Sequence, residues 1–277
     1  MSAVLVVAAL RHSDPRAAVD PLSGRVSTDA YAGAASDADR CALEVALRIA
    51  GDLGGRCLAV TVGPPAVEEM LREAVAAGAD GVLRVDGPAG DGAATAASLH
   101  AGLAARGLVP GLVVCGDRST ERGTGSTPAY LAASLGAAQA LGLTELTADG
   151  DGLRAVRRLD GGRRELLGLP LPAVCSVEPG TAVARRAPLA AVLAARTRPV
   201  PAVSVSAAPV PAVRAGTVRP YRPRPRVLPA PEGERPHERL LALTGAHTPP
   251  RTPPRLVTPD SPEEAARLLL EHLRERA

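Results

Sequence analysis

A stretch of eighteen residues, Gly63 to Asp80, constrains the fold more than any other part of the chain. It follows the apolar run Cys57–Val62. Apolar side chains then recur at helical spacing, at Val67, Met70, Leu71, Ala74 and Val75. Gly78 supplies a residue suited to the left-handed end of a helix, and another apolar run begins at Gly81. Strand, amphipathic helix and strand together form one α/β unit of an open sheet.

The same alternation of short apolar runs and helical patterns continues to about Ala195. The predicted strands are Val4–Ala9, Cys57–Val62, Val82–Val85 and Leu112–Cys115. The predicted helices lie near Asp37–Leu53, Ala66–Ala77, Asp91–Arg106 and Pro128–Leu135, and Ser36 and Asp39 form a cap signature for the first. The pattern predicts the α/β class, with an open, mostly parallel, doubly wound sheet and helices on both faces.

The later part of the chain departs from this alternation. Asp-Gly and Gly-Gly turn signals between Leu141 and Val177 predict added antiparallel strands, and Leu189–Ala195 is a candidate short helix. Sixteen of the 27 prolines lie between Pro199 and Pro262, so this segment is expected to be extended. We therefore expect an α/β domain at 1–198 and a proline-rich C-terminal arm at 199–277.

The arm ends in a predicted amphipathic helix at 261–276, which begins with a capping box at Ser261. Its apolar face needs a cover. That cover is either the chain's own domain or a partner subunit, and we prefer the partner.

Composition limits the possible partners and compartments. A net charge of +3 over 277 residues is too small to indicate a nucleic acid partner, and the absence of lysine reflects genome composition. The sequence contains no run of about eighteen apolar residues, so we expect no membrane insertion. The four cysteines lack metal-ligand spacing, and we interpret them as buried thiols in the cytoplasm.

The best candidate site is the loop Gly116–Pro128, which leaves the fourth predicted strand. Ligands of open α/β sheets bind beyond the carboxyl ends of such strands. The loop enters a helix at Pro128, with Thr127 placed as its N-cap, and a helix N-terminus favours phosphate. The glycine pattern matches neither a P-loop nor a dinucleotide-binding fingerprint. The residues alone leave a phosphate site and an ordinary loop equally open.

Two stretches resemble the electron-transfer flavoprotein β subunit family. Leu71 to Asp80 is similar to that family's Leu-Arg-(Glu)-Ala-Leu-Ala-Met-Gly-Ala-Asp. In the loop, Thr124, Gly125 and Thr127 match the family, Glu121 stands for its Asp, and three positions differ. The resemblance implies an adenine-nucleotide α-hydrolase-like fold in which this loop wraps the phosphate of a structural AMP.

The resemblance also implies the remaining nucleotide-facing positions. Helix residues Ala42 to Arg48 agree well, but the preceding Asn-Pro element of the family has become Ser36 to Arg40. The implied cofactor-binding residues are Val7, Asp37, Ala38, Asp39, Val62, Arg122, Gly123, Thr124, Gly125, Ser126 and Thr127. Because several family contacts are lost, AMP is either held through backbone contacts or no longer bound.

A third similarity covers Pro188 to Val200, which resembles the family's Ser-Leu-x-x-Ile-Met-x-Ala-Lys-Lys-Lys-Pro-Ile with Arg for Lys. The matching Leu189 is implied to insert into a pocket of a partner dehydrogenase. Without the resemblance, an ordinary surface helix is the simpler interpretation. The arm is similar to the family's C-terminal segment, which embraces the α subunit.

The sequence therefore predicts a β subunit of a heterodimeric electron-transfer flavoprotein, an electron carrier without bond chemistry of its own. FAD is expected mainly on the α subunit, and the partner dehydrogenase is flavin- or nicotinamide-linked. A version serving a peptide-derived redox cofactor such as mycofactocin is a further hypothesis. Two alternatives stay open, a stand-alone adenine-nucleotide-binding α/β protein (sensor or hydrolase) and a structural partner without nucleotide.

Overall fold

The computed structural model of the chain describes residues 3–29, 32–206, 222, 224–225, 227, 230–231, 233–245 and 256–275. The chain divides into two compact units, Met1–Tyr221 and Arg222–Ala277.

The strands of the described residues all lie in the first unit. They are β1 Leu5–Ala9, β2 His12–Ser13, β3 Ala18–Val19, β4 Val26–Ser27, β5 Ala34–Ala35, β6 Arg56–Val62, β7 Gly81–Asp86, β8 Leu112–Gly116, β9 Ala138–Asp149, β10 Gly152–Arg158, β11 Arg164–Leu169, β12 Ala173–Val177 and β13 Ala202–Ser204.

The helices follow the predicted pattern closely in the first unit. They are α1 Asp37–Asp52, α2 Glu68–Ala76, α3 Gly92–Ala105, α4 Thr127–Leu135 and α5 Leu189–Arg196, with α6 Pro236–Thr244 and α7 Pro262–Arg274 in the second unit. A short 3-10 turn, Pro65–Val67, precedes α2.

One large sheet organises the first unit, in the order β11-β10-β9-β12-β8-β1-β6-β7-β13. The seven strands from β9 to β13 pair in parallel, and β10 pairs antiparallel with both β9 and β11. The small pairs β2–β5 and β3–β4 lie outside this sheet. The predicted α/β class with a mostly parallel sheet and added antiparallel strands is confirmed.

Helices cover both faces of the sheet, and each face has its own hydrophobic cluster. Side chains alternate along β1, so Val6 and Ala8 join the cluster under α1 and α2. Val7 and Ala9 join the opposite cluster, under α3 and α4. The four cysteines are free and buried, and burial raises the pKa of Cys57 and of Cys175 to about 12.

Two local expectations were wrong in the first unit. The prediction of antiparallel strands up to Val177 fails for β12, which runs parallel between β8 and β9. Thr127 is not the N-cap of α4 but its first residue, because Ser126 has already turned into the helical region at φ −84° and ψ −22°. Ser36 does cap α1, since its hydroxyl accepts from the backbone N–H of Asp39 at 3.1 Å.

The proline-rich segment is not extended throughout. Its first residues form β13, which extends the sheet beyond β7. The helix α6 corrects the expectation, because Pro236 occupies the first helical position, where the missing N–H costs nothing, and no proline follows until Pro249. Glu238 Oε2 also accepts from the backbone N–H of Arg235 at 3.1 Å.

The last helix, α7, begins one residue after Ser261. The hydroxyl of Ser261 accepts from the backbone N–H of Glu264 at 3.2 Å, which satisfies one of the free donors of the first turn. Leu269, Leu270 and Leu273 are exposed. Among the described residues, no helix is both long and apolar enough to span a membrane.

Candidate functional site

The candidate site lies where the order of the sheet reverses. After β1, the chain adds β6 and β7 on one side and then returns to place β8 on the other side of β1. The segments that leave β1 and β8 therefore diverge at the carboxyl edge of the sheet. Open α/β sheets bind ligands in the crevice at this switch point.

A cleft that opens to solvent is present at this position. Its floor includes Ala9, Val62 and Cys115, which are residues at or near the ends of β1, β6 and β8. Gly92 and Thr127, the first residues of α3 and α4, lie on its wall. The N-termini of two helices therefore face one cleft, and both favour negative charge.

The two helix starts lie against each other because Gly92 has no side chain. A Cβ atom on Gly92 would lie 2.2 Å from Ser126 Oγ and 3.1 Å from the backbone nitrogen of Thr127. The N-terminus of α3 is capped by Asp91, whose Oδ1 accepts from the backbone N–H of Ala94 at 2.8 Å. The first residues of both helices therefore lie side by side, and the N–H groups of a helix N-terminus suit an anion.

The loop between β8 and α4 is a compact turn. The backbone N–H of Ser119 donates to Thr124 O at 2.9 Å, and that of Gly123 donates to Ser119 O at 2.8 Å. Gly123 has a φ of +65°, a conformation that glycine adopts without strain. A Cβ atom on Gly125 would lie 2.1 Å from Asp117 O. The turn thus depends on glycine at both positions.

Three arginines line the cleft, and each has a partner. Arg11 Nε donates to Glu121 Oε2 at 2.8 Å. The guanidinium of Arg122 donates to the carbonyl oxygen of Gly90, and Arg118 lies 3.9 Å from Asp117. The arginine side chains therefore add positive charge to that of the two helix N-termini.

A buried acid, Asp39, faces the same cleft from α1. Its side chain is 6% exposed, and burial raises its pKa to about 6. The hydroxyl of Ser36 donates to Asp39 Oδ2 at 2.6 Å, and the backbone N–H groups of Arg11 and Gly116 also hold the carboxylate. Asp39 thus ties the ends of β1 and β8 to α1 at the point where the cleft opens.

The structure brings together six of the residues that the sequence assigned to a cofactor site. They line the cleft and are Asp39, Val62, Arg122, Thr124, Gly125 and Thr127. Gly123 and Ser126 belong to the same loop. Val7 lies beneath the cleft in the core, with 1% of its surface exposed. Ala38 is buried in α1, and Asp37 is exposed at its first position.

Sequence reasoning missed several residues of the cleft wall, chiefly Arg11, Asp91, Gly92 and Thr95. Asp91 and Gly92 carried a detectable signal, an N-cap residue followed by glycine at the start of a predicted helix. Arg11 carried none, because only the pairing of β1 with β8 brings it to the loop. Among the described residues, no group of three or more His, Cys, Asp and Glu side chains has the arrangement of a metal site.

The candidate docking helix, α5, lies beside α2. Leu189 is 73% exposed and Leu193 is 52% exposed, whereas Ala195 is buried at 3%. Both ends of the helix are held. Arg185 Nε donates to Glu44 Oε2 at 2.7 Å before α5, and Arg72 Nε donates to Arg198 O at 3.4 Å after it.

The fold and the cleft define the class, an open α/β protein with a candidate anion site at the switch point of its sheet. The protein-family model of the electron transfer flavoprotein domain matches residues 24–208, which include the strands from β4 to β13, α5 and the cleft lining from Asp39 onward. The chain belongs to the electron-transfer flavoprotein β subunit family.

Three similar proteins are each named electron transfer flavoprotein subunit beta. The protein of Methylophilus methylotrophus is 30% identical over 173 residues, 61% of this chain and 66% of the relative. That of Thermoanaerobacterium thermosaccharolyticum is 29% identical over 145 residues, 52% of this chain and 56% of the relative. That of Bos taurus is 33% identical over 125 residues, which are 44% of this chain and 48% of the relative. The chain thus spans between about half and two thirds of the length of these relatives.

Proposed function

We propose that this chain is the electron-carrier β subunit of a heterodimer, in which it holds an adenine nucleotide and completes an FAD site that lies mainly on the α subunit. The observation that supports this most is the cleft at the switch point, where two helix N-termini and three arginines meet. The family membership supplies the flavoprotein context. The chain then positions a cofactor and selects a redox partner, without bond chemistry of its own.

The cleft suits the phosphate of a nucleotide. Gly92 and Gly125 leave space at the two loops, and the N–H groups of the α3 and α4 termini suit phosphate oxygens. Arg122, Thr124 and Thr127 line the same wall, and Val62 offers an apolar contact for a base. These features support AMP as the ligand, although Asp117, Ser126 and Pro128 replace residues of the family pattern.

FAD in the assembled heterodimer would supply reversible electron transfer, which no side chain of this chain provides. What the chain itself offers is the carboxyl edge of the sheet and the arm from 199 onward. We propose that the arm embraces the α subunit, as the similarity of 249–277 to the family's C-terminal segment implies.

We propose that α5 docks a flavin- or nicotinamide-linked dehydrogenase through Leu189. An exposed leucine on a helix that is tied at both ends suits insertion into a partner's pocket. A dehydrogenase that serves a peptide-derived redox cofactor such as mycofactocin stays a prediction, as does the cytoplasmic location.

Co-expression with a flavoprotein α subunit tests the proposal. We expect a yellow complex only when both chains are present, and AMP in the extract after the complex is denatured. A colourless chain that never associates with an α subunit, yet releases a nucleotide on its own, would support the stand-alone protein instead. A yellow complex that releases no nucleotide besides FAD would reject the AMP part alone.

A further inference from the structure

An ion pair joins the two segments that form the cleft. Arg11 follows β1, and Glu121 lies in the loop that follows β8. Arg11 Nε donates to Glu121 Oε2 at 2.8 Å, and a second guanidinium nitrogen contacts the same oxygen. The pair is solvent-accessible, because the side chains are 32% and 37% exposed.

We propose that Arg11 is a phosphate-binding residue of the cleft and that Glu121 is the counter-ion that competes with phosphate for it. The proposal rests on the proposed function, since it assumes that a nucleotide enters the cleft. Arg11 itself lines the cleft, whereas Glu121 is at the exposed turn of the loop.

The charges of the cleft favour this role. The other cationic residues of its lining are Arg118 and Arg122, and the acidic ones are Asp39 and Asp91. These four groups balance one another in formal charge, so Arg11 supplies the surplus positive charge. Glu121 cancels that surplus as long as the ion pair persists. Release of Arg11 from Glu121 therefore turns a neutral lining into a cationic one.

A phosphate group is a better partner for Arg11 than Glu121 is. A partly exposed arginine–glutamate pair contributes little to stability, because water solvates both groups and both side chains lose rotational freedom. A phosphate group carries up to two charges and accepts two parallel N–H donors from one guanidinium. Gly92 and Thr127, at the helix N-termini, line the same cleft as Arg11, so the same ligand can reach all three and exchange of partners is favourable. The ligand class is a nucleotide with a terminal phosphate rather than a nucleoside.

Calorimetric titration of the full chain with AMP and with adenosine tests the exchange. The variants are Arg11→Gln, Glu121→Gln and the double variant. We expect Arg11→Gln to weaken AMP binding about tenfold, because a charge-assisted contact is lost. Glu121→Gln should strengthen AMP binding about threefold or more, because the competing carboxylate is removed. The double variant should behave as Arg11→Gln does, and adenosine binding should not respond.

The matched control is Arg106→Gln, which makes the same change of charge at the opposite end of α3 and should leave AMP binding unaltered. AMP binding that Glu121→Gln leaves unchanged or weakens would overturn the proposal, and so would equal losses for AMP and adenosine in Arg11→Gln. These outcomes leave the nucleotide site itself intact. Failure of the unchanged chain to bind AMP at all would reject the AMP site together with this proposal.

Discussion

At the scale of single residues, Asp39 is notable because its buried carboxyl group has a raised pKa. It belongs to α1 and is buried, yet it lies at the cleft and accepts hydrogen bonds from the ends of two strands. Burial disfavours its charge more strongly than the hydroxyl of Ser36 and the backbone donors favour it, so its pKa rises to about 6. A buried acid that lines the cleft therefore has a pKa raised toward neutral pH.

This residue predicts a specific pH dependence of folding. A carboxyl group whose pKa is higher in the folded than in the unfolded state stabilises the fold fully below the unfolded value of 3.8. That stabilisation is lost as the pH rises through about 6. We expect the free energy of unfolding of the unchanged chain, relative to Asp39→Asn, to fall by about 1–3 kcal/mol between pH 4 and pH 8. Urea unfolding at a series of pH values measures this, and parallel curves for the two proteins would contradict it.

Glu44 illustrates the opposite case, a buried carboxylate that is held by cations. Its side chain is 5% exposed and bonds to Arg48 and Arg185 at 2.7 Å each. Burial tends to raise its pKa, but the two guanidinium groups together lower it. We expect Glu44→Gln to lower the free energy of unfolding by about 1–3 kcal/mol.

The control for this change is Glu73→Gln on the exposed face of α2, which should alter the free energy of unfolding by less than about 0.5 kcal/mol. Because Glu44 is stabilised as the charged form, the difference between Glu44→Gln and the unchanged chain should shrink as the pH falls below 4.5, the ordinary pKa of the group. A difference that is independent of pH would contradict this assignment.

At the scale of elements, the loop between β8 and α4 depends on close backbone approach. We expect Gly125→Ala to weaken AMP binding at least tenfold, because the new Cβ would lie 2.1 Å from Asp117 O and must displace the turn. Gly168→Ala in β11 is the matched control, since no atom lies within 4 Å of its Cβ position. Titration with AMP compares the two. Equal binding by both variants would show that the turn does not shape the site.

The candidate docking helix, α5, allows effects on stability and on association to be measured separately. Leu189→Ala should change the free energy of unfolding by less than about 0.5 kcal/mol, because the side chain is 73% exposed. The same substitution should raise KM for electron transfer from the partner dehydrogenase by about tenfold or more. Leu131→Ala, at a fully buried position of α4, should instead cost about 2–5 kcal/mol of stability. Unchanged electron-transfer kinetics in Leu189→Ala would contradict the docking role.

Elements with a clear hydrophobic periodicity and a clear terminating residue could be predicted from the sequence. Elements whose direction depends on pairing with strands distant in the sequence could not. The helix α2 has apolar residues at helical spacing and ends before Gly78, whose φ is +116°. The parallel direction of β12 depends on its insertion between β8 and β9, which no local pattern encodes. The helix α6 was not predicted, because the high proline content of the whole arm concealed the proline-free stretch between Pro236 and Pro249.

The same distinction applies to the cleft. The loop residues from Arg122 to Thr127 follow one another along the chain, so a single motif revealed them. Arg11 and Glu121 are separated by 110 positions, and only the neighbouring of β1 and β8 explains their contact. Val7 was assigned through the resemblance to the family, and its side chain lies in the core because β1 alternates between the two clusters.

At the scale of the whole molecule, both hydrophobic clusters lie within the first unit. Their members extend from Val4 to Val205, whereas α6 and α7 bury no residue. We expect a chain ending at Tyr221 to unfold cooperatively with a Tm within about 4 °C of the full chain, because it contains both hydrophobic clusters. The truncated chain should lose its ability to form the yellow complex. Differential scanning calorimetry and co-purification measure these two properties, and a truncated chain that still forms the complex would contradict the role of the arm.

The attachment of α5 at both ends has a kinetic consequence. The segment before it is fixed by Arg185 on Glu44, and the segment after it continues directly into β13, whose backbone pairs with β7. A contact surface that is ordered in advance loses little conformational entropy when a partner arrives. Association through such a surface can be fast and the complex short-lived. Both properties suit a carrier that accepts electrons from one donor after another.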